Sequence, residues 1–280
     1  MRKINVSRIK DAVQDLCLKA NFELRRDVLK AIRMAVARES SGRAKKILIS
    51  IIENALLAKK RRIAICQDTG MVFVHMAIGQ GVAIVGGDLE KAINEAVKKA
   101  YAKGYLRRSV VNDPLLRENT GTNAPAVIFT EIVPGSKVVI DVSAKGFGSE
   151  NKSAIRMFKP TSSLDDIKSF IIEVVKAAGP DACPPLVLGI GLGGTFEKAA
   201  YLAKAALLRP LDKRNPTPHM ARLERALLKD INSLGIGPMG LGGRTTVLGV
   251  NILEHPTHIA GLPVAVNVSC HATRSARAIL

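Results

Sequence analysis

The chain has 280 residues, 47% of them hydrophobic, with no tryptophan and a formal net charge of +18. That length supports one large domain or two small ones with a substantial core, and no apolar run reaches the ~20 residues that a membrane-spanning helix needs. The charge calls for an acidic partner, anionic substrates or a solvated Lys/Arg-rich surface. A basic nucleic-acid-binding protein is disfavoured, because aromatics are 4% of the chain and no RNP, KH or zinc-finger pattern occurs.

The start, MRKINVSRIKDAVQDL, lacks the apolar stretch of a secretory signal, and Asp11 and Asp15 argue against a transit peptide. Three amphipathic helices fill residues 1 to about 60. Ile9, Val13, Leu16, Cys17 and Ala20 mark the first. Leu24, Val28, Leu29, Ile32 and Val36 mark the second, and Ile47, Leu48, Ile51, Ile52, Ala55 and Leu56 the third. The run Lys59-Lys60-Arg61-Arg62 closes the third favourably for its dipole. Strand-like Ile63-Ala64-Ile65 leads into Cys66-Gln67-Asp68-Thr69-Gly70, and a second strand covers Met71 to Ile78. Asp88 caps a helix running to about Lys103. Leu106 to Gly121 is irregular. Ala126 to Val133 and Val138 to Val142 read as a hairpin around Pro134-Gly135. Gly146 to Lys152 is a polar loop, followed by a helix over Leu164 to Ala178. A strand over Leu186 to Ile190, helices over Thr195 to Leu208 and His219 to Ser233, and strands over Thr245 to Leu253 and Pro263 to Val268 complete the chain. No linker or repeat interrupts this order. The class is α/β: mixed sheets packed by helices, with an N-terminal helical segment.

Four cysteines are too sparse for a disulfide scaffold, so reduced thiols in a cytoplasm are expected. Cys17 lies on an apolar helix face and reads as a core thiol. Cys66, Cys183 and Cys270 each sit in a non-helical, Gly/Pro-rich setting beside polar groups. Distant cysteines are by spacing alone more often unrelated than ligands, and there is no CxxC. Their context raises a shared site: three thiolates can hold three irons of a cubane and leave the fourth open as a Lewis acid. Gly189-Ile190-Gly191-Leu192-Gly193-Gly194 resembles a dinucleotide fingerprint, but Leu207-Leu208-Arg209-Pro210 stands where the acidic partner residue belongs. We read the run as tight backbone beside a bulky cofactor at Cys183. Gly235 to Gly243 shares the ambiguity. His258, upstream of Cys270, suits acid/base work, or is a surface group. Arg107 and Arg108 suit a carboxylate clamp, or form a solvated basic pair.

Cys66-Gln67-Asp68-Thr69-Gly70 resembles the CQDTG signature of the iron–sulfur hydro-lyases, the class I fumarases and L-tartrate dehydratases. Leu106-Arg107, Asn112-Asp113-Pro114, Asn119-Thr120-Gly121, Lys145 to Lys152, Gly189 to Phe196, Gly237 to Thr245 and His258 to His271 resemble that family too, so the likeness runs over nearly the whole chain. It implies one α-type catalytic domain over 1–280, helical to about 60. It implies a 4Fe-4S cluster on Cys66, Cys183 and Cys270, and a small dicarboxylate bound by Gln67, Arg107 and the Gly148 backbone. Asp68 and His258 are then the proton-relay pair. The other substrate contacts belong to a separate β subunit, in an α2β2 hetero-oligomer. The expected reaction is reversible hydration of fumarate to (S)-malate. The alternative is dehydration of L-tartrate to oxaloacetate.

Overall fold

A computed structural model describes residues 1–280. Elements follow in chain order as β1 (Arg2–Asn5), α1 (Val6–Phe22), α2 (Arg26–Arg38), α3 (Gly42–Arg61), β2 (Met71–Gly79), β3 (Val82–Val85), α4 (Leu89–Lys103), β4 (Val127–Val133) and β5 (Val138–Lys145). Then come α5 (Phe147–Glu150), β6 (Ala154–Phe158), α6 (Leu164–Ala178), β7 (Leu186–Gly193), α7 (Phe196–Ala206), α8 (Pro218–Asn232), β8 (Val247–His255), β9 (Leu262–Ser269) and β10 (Ser275–Ile279). No helix is long and apolar enough to cross a membrane.

The three N-terminal helices form as their apolar stripes predict, and their ends are chemically marked. Asn5 caps α1 by accepting from the Ser7 N–H at 2.9 Å. Asp88 caps α4 through the Lys91 N–H at 2.7 Å, as expected from sequence. Ser163 and Asp166 form a reciprocal capping box at the start of α6. Lys59, Lys60 and Arg61 sit in the last turn of α3.

The chain divides into two compact units. The first comprises 1–25, 54–147 and 274–280 and holds a mixed sheet in the order β10-β5-β2-β4, beside the short parallel pair β1-β3. Its core sets Ile9, Val13 and Cys17 of α1 and Ile93, Val97 and Tyr101 of α4 against Val72, Val74 and Met76 of β2 and Ile140 and Val142 of β5. Alternate residues of the strands supply that face, as a period of two requires. Each large aliphatic side chain buried this way contributes about 1.5–3 kcal/mol.

The segments around Pro134-Gly135 do not make the expected hairpin. β2 lies between them, parallel to β4 and antiparallel to β5. The connecting turn wraps the end of β2. Its carbonyls at Val133, Gly135 and Lys137 accept the N–H groups of Gln80, Gly81 and Gly79, each at 2.8 Å. The backbone groups a hairpin would have paired internally are thus bonded to the chain leaving β2. Ile63-Ala64-Ile65 is not a strand either. The Ile65 N–H donates to the Asn21 carbonyl, and the Ile65 carbonyl accepts from Asn54 Nδ2.

The second unit comprises 26–53 and 148–273, with a sheet in the order β6-β9-β7-β8. β7 is buried along its full length, the mark of a central strand covered on both faces. Leu188 and Ile190 face Phe170, Ile171 and Val174 of α6 and Leu227 and Ile231 of α8. The glycines of the same strand face α7. A Cβ at Gly189 would lie 2.0 Å from the Ala203 carbonyl oxygen, and one at Gly191 would lie 2.0 Å from that of Ala199. The run is tight backbone, but its close neighbour is a helix. The expected cofactor contact is replaced by helix–strand packing.

Candidate functional site

The CQDTG segment is irregular backbone in the first unit, and side chains from elsewhere in that unit hold it. Asp68 Oδ1 accepts the Gly70 N–H at 3.0 Å, closing a short turn. Asp68 Oδ2 accepts the Phe147 N–H at 2.8 Å. The Thr69 hydroxyl donates to the Arg107 carbonyl at 2.6 Å. The Tyr101 hydroxyl donates to the Thr69 carbonyl at 2.6 Å, and Asn123 Nδ2 to that of Gly70 at 3.0 Å. Burial pushes the Tyr101 phenol above its ordinary value, so it serves as a donor throughout the neutral range. Gly70 has φ +73°, and a Cβ there would meet the Lys145 backbone at 2.7 Å, so no other residue fits. Cys66 and Asp68 are half-buried, whereas Gln67 and Arg107 are exposed. Arg107 Nη1 lies 3.5 Å from Gln67 Oε1. A carboxylate, a guanidinium, an amide and a thiol thus share one rigid loop and its neighbour.

In the second unit, Cys183 and Cys270 stand on adjoining loops. Cys183 follows the tight turn Gly179–Ala182, has φ +53°, and donates its N–H to the Pro180 carbonyl at 2.9 Å. His271 joins the loops: its main-chain N–H (3.3 Å) and ring Nδ1 (3.0 Å) both reach the Cys183 carbonyl. Thr273 Oγ1 donates to the Cys270 carbonyl at 2.8 Å. The second glycine-rich turn buttresses Cys183 from below. Met239 donates its N–H to the Pro184 carbonyl at 2.8 Å, and a Cβ on Gly240 would strike Pro180 at 2.3 Å. Gly148 is exposed on α5, and a Cβ there would come within 3.6 Å of the Asp181 carbonyl beside the same turn.

His258 is not part of this cluster. It precedes β9, whereas Cys270 follows it, and the strand has 8 residues. At ~3.3 Å per residue it separates the two by about 26 Å. Thr257 Oγ1 donates to the Gly194 carbonyl, which fixes the loop at the far end of β7 from Cys183. A turn at Ile259–Ala260, closed by the Gly261 N–H to the His258 carbonyl, precedes β9.

The sequence reading missed Arg274, Asn123 and Tyr101. Arg274 is 3% exposed, and its Nη1 donates to the Asp68 carbonyl at 2.5 Å. The only cue was an arginine between Thr273 and Ser275, four residues after Cys270. Asn123 gave a fainter one, as an asparagine in a turn-rich stretch able to take its positive φ of +62°.

None of the four cysteines is in a disulfide. Burial pushes the Cys17 thiol up to about 12, which keeps it a neutral core group. Cys66, Cys183 and Cys270 are half-buried, on loops rather than in a core. Soft thiols in that setting are the donors an iron–sulfur cluster takes. No group of three or more His, Cys, Asp or Glu side chains is arranged to chelate a single metal ion.

The fumarate hydratase (Fumerase) family matches residues 10–279. A Methanocaldococcus jannaschii protein, provisionally named L(+)-tartrate dehydratase subunit alpha, is 42% identical over 278 residues, covering 96% of each chain. The L(+)-tartrate dehydratase subunit alpha of Escherichia coli strain K12 is 29% identical over 272 residues, covering 96% of this chain and 89% of its own. The chain therefore belongs to the fumarate hydratase family of hydro-lyases.

Proposed function

We propose that this chain is the α subunit of a 4Fe-4S hydro-lyase that interconverts fumarate and (S)-malate together with a separate β subunit, in an α2β2 assembly in the cytoplasm. The observation that carries this reading is the Asp68 carboxylate, locked by two main-chain N–H groups two residues from a half-buried thiol and beside the Arg107–Gln67 pair. Cys66, Cys183 and Cys270 would hold the cluster, which supplies a Lewis acid for the hydroxyl and carboxylate oxygens of the substrate.

The remaining work falls to the chain's own groups. Arg107 presents two parallel N–H donors to one carboxylate of the dicarboxylate, and Gln67 orients it. The Gly148 N–H adds a main-chain donor. Hydration adds OH to one alkene carbon as the attacking water gives up a proton, which Asp68 accepts, while a proton supplied by a group of the β chain adds to the other carbon. The fixed Oδ atoms of Asp68 make its transfer directional. His258 is the second member of the relay. Given its distance along β9, it acts on substrate bound near Cys270 only when another copy of the chain supplies it.

The experiment is anaerobic co-expression with the β chain, followed by visible spectroscopy and steady-state hydration assays. A brown complex hydrating fumarate is expected, with colour and activity both lost in Cys66→Ser. A colourless, inactive complex, or a Cys66→Ser complex as active as its parent, would overturn the reading. A second reading, L-tartrate dehydration to oxaloacetate, is favoured by the names of the relatives. Faster turnover of tartrate than of malate by the same complex would establish it instead.

A further inference from the structure

Arg274 is buried to 3% exposure, immediately before β10. Its Nη1 donates to the main-chain carbonyl of Asp68 at 2.5 Å and lies 3.5 Å from Asn21 Oδ1, while its Nε has no hydrogen-bond partner. Desolvating a cation in this way is unfavourable unless the structure gains by it. The neighbouring glycine shows what is gained. A Cβ on Gly146 would stand 2.9 Å from Asp68 Oδ2 and 3.1 Å from Arg274 Nη2. The carboxylate and the guanidinium therefore flank the space that this glycine leaves open, no more than about 6 Å apart. At that range the two opposite charges attract each other.

We propose that Arg274 is the positioning residue for Asp68: it holds the Asp68 carbonyl directly and, across the gap above Gly146, sets the direction in which Oδ2 points. The inference rests on the hydro-lyase reading for its kinetic consequence but not for its structural one. Arg274 touches no reacting atom in this scheme. It fixes the loop from behind, while the Gly70 and Phe147 N–H groups fix the carboxylate from the front. Gly146 has no positive φ, so alanine there is conformationally permitted and acts only as a wedge between the two charges.

Two variants of the αβ holoenzyme test this, Arg274→Lys and Gly146→Ala, with Asp68→Asn as reference. A displaced carboxylate costs about 10–100-fold in kcat per cluster, the scale of a misplacement near 1 Å, with KM changed by less than about threefold. Amide exchange at Gly70 and Phe147 should quicken in both variants while exchange in β5 stays unchanged, a readout that needs neither cluster nor substrate. If Arg274→Lys fails to fold, Gly146→Ala carries the test alone, since it retains the arginine. Unchanged kcat per cluster together with unchanged Gly70 and Phe147 exchange would overturn the proposal. So would a global rise in exchange that leaves those two amides in step with the rest. If Asp68→Asn turns over at the parent rate, it is the catalytic reading of Asp68 that falls, whereas a dead Asp68→Asn beside normal Arg274→Lys and Gly146→Ala sinks only this inference.

Discussion

Gly189→Ala separates the two meanings of the glycine run on β7. The added methyl would sit 2.0 Å from the Ala203 carbonyl oxygen and 3.0 Å from Leu207 Cγ, so α7 must retreat by more than 1 Å to restore ordinary contact. That retreat loosens Ala199 and Ala203, which are packed against Ala265. Backbone is the obstacle, and no rotamer change relieves it. The cost belongs at the upper end of overpacking, about 3 kcal/mol. For a chain of this length that lowers the midpoint of thermal unfolding by about 5 °C, read by circular dichroism. Gly42→Ala is the control. Nothing lies within 4 Å of its Cβ, and it opens α3, so helix propensity should hold or raise the midpoint slightly, by up to about 0.5 kcal/mol. Added NAD should shift neither. An unchanged midpoint in Gly189→Ala, an equal loss in Gly42→Ala, or stabilisation of the parent chain by NAD would refute helix packing as the reason for these glycines.

Cys17→Ala should leave cluster absorbance and activity intact while costing about 1–2 kcal/mol of stability through the small cavity it opens; loss of colour with retained folding would contradict a core role. The buried Asp141 titrates below the ordinary carboxylate range: burial pushes it up, but hydrogen bonds and charge from His75 and Arg277 outweigh that. A carboxylate depressed by folding adds stability that is complete above its unfolded value and fades as pH falls through the folded one. Arg277→Gln should therefore cost about 1–2 kcal/mol at neutral pH, less than a fully buried pair because the arginine is more than half exposed. The gap should narrow below about pH 4, and a gap constant from neutral to strongly acid pH would count against the pair. The α chain alone should show no turnover, and the αβ enzyme should lose activity in air. Robust catalysis by α alone, or full activity after long air exposure, would contradict the shared site and the open iron respectively.

The sequence was legible where one periodic signal sufficed. The α1 stripe from Ile9 to Ala20, the Asp88 cap and the apolar run of β7 all formed as read. It failed where pairing depends on distant residues. Nothing local in Val127–Val133 and Val138–Lys145 says that β2 will enter between them. β6 and β10 escaped notice because Arg156 and Arg277 interrupt short segments whose partners, β9 and β5, are remote in the chain. For the site, Cys66, Gln67, Asp68 and Arg107 do gather in one unit, and Cys183 and Cys270 on adjoining loops of the other. His258 stands at the opposite end of β9 from Cys270, a separation that the residue count alone does not reveal. Arg274 was passed over because arginines are expected outside, and its burial follows from what it bonds to rather than from any periodicity.

The loop at 66–70 shows why an irregular segment of this kind resists prediction from local sequence. In a strand or helix the main chain satisfies itself. Here the carbonyls of Asp68, Thr69 and Gly70 are taken by side chains of Arg274, Tyr101 and Asn123, which come from just before β10, from α4 and from the stretch before β4. Three buried donors replace one ladder of backbone bonds, each otherwise costing about 1–3 kcal/mol if left unmade. The apolar approach through Ile63–Ile65 is likewise bonded outside any ladder, to Ala58, Asn21 and Asn54, although its composition invites a strand. Because distant side chains carry much of the structural burden, the side chains of Cys66 and Gln67 are left outside the packing that holds the loop. A substitution at Asn123, which bonds the Gly70 carbonyl and the Ser109 N–H, should therefore loosen this loop, read as faster amide exchange at Gly70.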